Sequence, residues 1–228
     1  MCFSATASFG AAGILVVAGA ATLSRASKPD QWLLASVPLV FAVQQAVEGA
    51  LWLTVPAGHQ AGCRLATTFA IMALIVWPVL TPLAMGLVER RRKRRRLILA
   101  LAGPGLGVAG YSILDIWTHP YMAWPAPHSL VYINDSPFPP LMLAAYLAAT
   151  CAPPLLSSSI AIRWFGIVVT SGLTITLGLF FVSLVSVWCF FAALSSAILV
   201  AYFFSATNNP AVQYWREASG SHPRHLRS

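Results

Sequence analysis

The chain holds six carboxylates, and Glu48 lies inside a long apolar run. A carboxylate there is costly to keep and marks a site by default. Helical spacing puts Phe41, Gln44, Gln45, Glu48 and Trp52 on one face. Three polar side chains on one face of an apolar helix should point at protein or water, not at hydrocarbon. Two chemistries suit them. One is a site for a ligand, a metal or a proton. The other is a hydrogen-bonding hub that joins helices.

Asp115 ends another apolar run, with Tyr111 four residues before it and on the same face. Solvation or a helix-end contact accounts for a carboxylate in that position. His119, His128 and Asp135 fall in the polar stretch that follows, and His59 and Cys63 in an earlier connection. Imidazole, thiolate and carboxylate are all metal ligands. No histidine pair has the i, i+4 spacing of a helical zinc site, and the four cysteines form no C-x-x-C pair. Removal of Met1 would leave Cys2 with a free amine beside a thiol, a pair able to chelate a metal or attack an electrophile. Nothing in the sequence supplies a base and an orienting partner for such a nucleophile. The residues available to a divalent metal are Cys2, Glu48 and His128.

The elements that position these residues follow from composition. The chain is 58% hydrophobic and 9% charged, whereas a soluble domain carries about 25% charged residues. Lipid removes the need for a charged surface. A hydrocarbon core about 30 Å thick takes about 20 apolar helical residues. Seven such segments are expected, near residues 4–24, 31–55, 62–88, 97–117 and 139–158, with 161–204 divided after Gly178. The fold expected is an all-α, seven-helix transmembrane bundle over residues 1–206. A polar, mobile tail is expected over 207–228. Pro78 and Pro82 should kink the third span, and Gly103 and Gly107 should pack the fourth against its neighbours.

Seven of the fourteen basic residues are Arg90, Arg91, Arg92, Lys93, Arg94, Arg95 and Arg96. A basic block beside a span reads as a topology signal and a contact for anionic lipid headgroups. It does not read as a nucleic-acid site. With seven spans, Arg25, Lys28, the block, Arg163 and the basic residues of the tail share one side. That puts the N-terminus outside and the C-terminus inside. The longest outer connection, 118–138, combines prolines with interfacial aromatics and should follow a stiff, non-helical path.

Several classes are excluded. A retinal protein needs a lysine in its last span, but the lysines are Lys28 and Lys93. Ceramidase-like zinc hydrolases carry histidines in late spans, and residues 139–204 have none. No G-x-S-x-G, Walker or dinucleotide motif is present. The opening Met1-Cys2-Phe3-Ser4-Ala5-Thr6-Ala7-Ser8-Phe9 resembles the start of DUF6629, a family of bacterial membrane proteins. The resemblance extends to Gln44-Gln45-Ala46-Val47-Glu48, Trp77-Pro78, His128-Ser129-Leu130-Val131-Tyr132 and Ser186-Val187-Trp188-Cys189-Phe190-Phe191-Ala192-Ala193. It implies a multi-pass protein of the bacterial cytoplasmic membrane and no reaction. It draws attention to Cys2, Glu48, His128, Trp188 and Cys189, all on the outer side of the expected topology. The expectation is a ligand or metal pocket open to the outer face, built from Gln44, Gln45, Glu48, Asp115, His128, Trp188 and Cys189. A metal-dependent membrane enzyme and a small-solute transporter are the alternatives.

Overall fold

A computed structural model describes residues 4–55, 59–126, 129–179 and 184–208. The first helix, α1 (Ala5–Arg25), starts at Ser4, whose hydroxyl accepts from the Ala7 amide at 3.2 Å. Next come α2 (Pro29–Ala35) and α3 (Val37–Thr54). They break at Ser36, just before Pro38, and together make one apolar stretch, Pro29–Thr54. The third stretch contains α4 (His59–Ile71), a wide π turn (Met72–Val76) and α5 (Trp77–Val88). Pro78 has no amide hydrogen for the carbonyl four residues back. The helix widens just before it, so the Trp77 amide reaches the carbonyl of Met72. Pro82 lies inside α5 and leaves the carbonyl of Pro78 without its helical partner.

The fourth stretch joins α6 (Arg92–Ala100) to α7 (Ala102–Thr118) through Leu101. Most of the basic block is therefore the start of a helix, not a loop. In α7, Gly105 meets the exposed carbonyl of Pro78, where a Cβ would collide. Gly103, Gly107 and Gly110 face open space. The close helix contact expected of Gly103 and Gly107 is made by Gly105 instead, on the opposite face.

The connection after α7 is a two-stranded antiparallel hairpin, β1 (Met122–Ala126) and β2 (Ser129–Ile133), with Met122 opposite Ile133 and Ala126 opposite Ser129. It adds a small sheet to an otherwise helical protein. Three helical stretches follow: α8 (Pro140–Leu156), α9 (Ile160–Leu179), and the pair α10 (Leu184–Leu194) and α11 (Ser196–Asn208). Helix α9 ends next to the expected division after Gly178; residues 180–183, and residues 209–228 of the expected tail, lie outside the described residues.

Among the described residues, six stretches are long and apolar enough to cross a membrane, and α8 is a shorter apolar helix. Polarity is arranged accordingly. Ile14, Val17 and Leu114 are about 70% exposed, as expected of faces solvated by hydrocarbon. Gln44, Gln45 and Glu48 are fully buried. The main core forms around Phe41, Trp77, Met85, Tyr146, Phe165 and Trp188. A second cluster, with Leu51, Phe69, Leu130 and Cys189, sits beneath the hairpin.

Candidate functional site

The inward face of α3 carries the polar residues that helical spacing predicts. Phe41 stacks on Trp77 of α5, with ring centroids 4.0 Å apart. One turn on, the Trp77 indole Nε1 donates to Gln44 Oε1 at 2.6 Å. An indole only donates, so this bond fixes the Gln44 amide with its oxygen toward Trp77. The Cys189 thiol of α10 lies within hydrogen-bonding reach of the Gln44 side chain and near Glu48. Gln45 Nε2 donates to Glu48 Oε2 over a long 3.5 Å. Gln44 Nε2 and Gln45 Oε1 have no full hydrogen bond among the described residues. The hub therefore ties α3 to α5 and α10.

Trp188, next to Cys189, faces a different environment. Its Nε1 donates to the carbonyl of Val169 in α9 at 3.0 Å. Its ring meets Tyr146 of α8 edge to face, with centroids 5.8 Å apart at 72°. These two aromatics line two cavities. The inner one, about 40 Å³, is also lined by Phe41, Trp77, Thr81 and Cys189. It has room for a few waters and lies against the hub. The outer one, about 470 Å³, lies under the hairpin exit and between α4, the π turn, α8, α9 and α10. Leucines of α8 and α9 make one part of its wall. Phe69, Tyr121, Tyr132 and Phe138 make another, with Asn134 and Ser136 beside them. Phe69 and Tyr132 stack at 4.4 Å, which seats β2 on α4.

Asp115 ends up buried at the hairpin end of α7. Its Oδ2 accepts from Asn134 Nδ2 at 2.8 Å, and its Oδ1 lies 3.5 Å from His119 Nδ1. The carboxylate thus pins the hairpin exit to the helix end. Tyr121, beside it, has its phenol pushed up to about 12 by burial, then by the charge of Asp115 and by Tyr111. Tyr121 therefore stays neutral and keeps its hydrogen.

Of the residues singled out in the sequence, Gln44, Gln45, Glu48 and Cys189 come together where α3, α5 and α10 meet, whereas Trp188 turns to α8 and α9. Asp115 stands apart and reaches the outer cavity through Asn134. Cys2 and His128 lie outside the described residues, so Glu48 alone of the expected metal set is placed. Among the described residues no three of His, Cys, Asp or Glu gather as a metal site. The expected pocket was polar and centred on Glu48. The large cavity is instead apolar, and neither Glu48 nor either glutamine lines it.

One buried carboxylate escaped the sequence reading. Glu89, at the end of α5, accepts from the Ser158 amide and hydroxyl, both at 2.6 Å. It also accepts from the Ser157 hydroxyl at 3.2 Å and the Arg91 amide at 2.8 Å. Arg94 Nη1 donates to the carbonyls of Leu156 and Ser157 at 3.2 and 3.1 Å. Together they clamp the α8–α9 turn. Next to seven basic residues, Glu89 reads in sequence as a surface counter-charge. The available signal was the serine run 157–159 before a helix, which needs an acceptor for its free amides.

A family model described as "Family of unknown function (DUF6629)" matches residues 1–214, and the chain belongs to that family. No curated protein and no solved structure matches the chain.

Proposed function

From membership of DUF6629 and from this geometry, we propose that the chain is a seven-span membrane protein that binds a small, largely apolar molecule in the outer cavity. The cavity size carries the reading. Native interiors hold few voids larger than a water. An apolar space of this size offers many dispersion contacts to an apolar occupant. A volume of about 470 Å³ falls within the roughly 300–1,000 Å³ of small-molecule sites, as does a mostly apolar lining with a few polar groups.

The topology proposed with it is N-terminus out, C-terminus in, within a bacterial cytoplasmic membrane. Arg25, at the end of α1, lies over the Phe204 ring near the end of α11, 4.5 Å from its centroid. The first and last spans thus run toward the same end, which requires an odd number of crossings. Adding α8 to the six long stretches supplies seven. The short α8, about 26 Å at 1.5 Å per residue, leads from the hairpin exit to the turn held by Glu89. The exposed members of the basic block sit at this second end, where they would meet anionic headgroups. The cavity then opens toward the outer side.

The test is to purify the chain gently, extract it with organic solvent and identify small molecules by mass spectrometry. Leu147→Trp, which fills the cavity from α8, is the comparison. The proposal expects about one apolar molecule per chain in the native protein and little in the variant. Identical extracts, in the proportions of the bulk lipid, would count against it.

A further inference from the structure

Building on that reading, we infer that the outer cavity selects an uncharged amphiphile, such as a long-chain alcohol or its ester, over a charged one. Two observations carry this. First, among the described residues no Arg, Lys, His, Asp or Glu lines the cavity. A phosphate, carboxylate or ammonium head would be buried there without a counter-charge, which is strongly unfavourable. Second, the lining is divided. Tyr121, Tyr132, Asn134 and Ser136 come from the hairpin and its flanks, whereas Leu143, Leu147, Leu173 and Leu177 come from the helices. A ligand with one polar end and one hydrocarbon end matches that division, head toward the hairpin and tail toward the bundle.

The polar end can both accept and donate. The Asp115 carboxylate only accepts, and it takes Asn134 Nδ2 at 2.8 Å, which holds the Asn134 amide in one orientation. The hydroxyls of Tyr121, Tyr132 and Ser136 add donors beside it. A hydroxyl or an ester head finds partners there, whereas a carboxylate finds no counter-charge.

The full chain in phosphatidylcholine nanodiscs is irradiated with three photoreactive diazirine probes of the same chain length. One is an alkyl alcohol, one the carboxylic acid and one the methyl ester. Labelled peptides are mapped by mass spectrometry, with hexadecanol as competitor. The alcohol and the methyl ester should label α8, α9 and the hairpin exit saturably, and at least about tenfold more than the acid, the ratio that about 1.4 kcal/mol gives. Leu147→Trp should abolish the saturable labelling by both. Equal saturable labelling by all three probes would overturn the head-group selection and leave the cavity as a general apolar site. No saturable labelling by any probe would overturn the binding function itself.

Discussion

Gln44 uses its two ends differently, and the consequences can be measured. Its oxygen holds the Trp77 indole at 2.6 Å, and both side chains are buried. Gln44→Leu leaves the indole N–H without its partner, at about 1–3 kcal/mol. Thermal unfolding in detergent should register this as a lower midpoint. Glu48→Gln keeps shape and hydrogen bonding, so it should fold normally. Glu48→Leu removes both and should destabilise by a similar 1–3 kcal/mol. If Glu48→Gln folds normally but lowers ligand occupancy, the hub also tunes the site. If Glu48→Leu melts with the wild type, the hub does not join the helices. Glu89 belongs to the same scale but to the opposite end of the bundle. Burial raises its pKa, yet the hydrogen bonds from Ser158, Arg91 and Ser157 lower it by more, to below the ordinary 4.5. A carboxylate with a lowered folded pKa stabilises the fold above its unfolded pKa. That contribution is lost as pH falls through the folded value. Stability should therefore decline as pH drops below about 4.5, and Glu89→Gln should flatten that limb. An unchanged acid limb in Glu89→Gln would assign the decline to other groups.

At the scale of elements, the sequence was informative where one residue type acts locally. The apolar lengths located every helical stretch to within a few residues, because hydrocarbon thickness sets a minimum run. Pro78 and Pro82 marked a disturbed third span for reasons visible in their own chemistry, whereas the break at Ser36 was not read from the sequence. The hairpin was read only as a non-helical path. Pro125 argued against a strand, and β2, with Val131, Tyr132 and Ile133, signals one only weakly by itself. Gly105 was hidden by the more obvious spacing of Gly103 and Gly107, since which glycine faces a neighbour depends on where α5 lies. That difference gives a sharp comparison. Gly105→Ala sets a methyl against the Pro78 carbonyl, which is backbone and cannot swing aside. It should destabilise by about 1–3 kcal/mol. Gly107→Ala points into open space and should be neutral, or stabilising by up to about 1 kcal/mol through helix propensity. Equal melting of the two variants would contradict the packing described for α5 and α7.

For the whole molecule, composition pointed to helices apolar enough to cross a membrane but not to the cavity. The charge-poor chain and its single basic block point to a membrane bundle from sequence alone. The cavity depends on how α4, α8, α9 and α10 splay beneath the hairpin, a long-range arrangement that no local pattern encodes. Of the side chains flagged in sequence because their burial is expensive, Gln44, Gln45 and Glu48 form the hub and Asp115 pins the hairpin. The residues that make the cavity are ordinary leucines and aromatics, indistinguishable in sequence from lipid-facing ones. The proposed topology is tested with reporter fusions at Gly58, Lys93, Pro127 and Ser219. Lys93 and Ser219 should report the cytoplasm, Gly58 and Pro127 the outer side. An outer signal from Lys93 would rule out the seven-span arrangement. The central claim is the occupied cavity, and a density map of the purified chain in nanodiscs addresses it most directly. The account predicts elongated density between the leucines of α8 and α9, ending near Asn134 and lost in Leu147→Trp. A cavity closed by its own side chains, or density continuous with the surrounding lipid and unchanged in that variant, would contradict it.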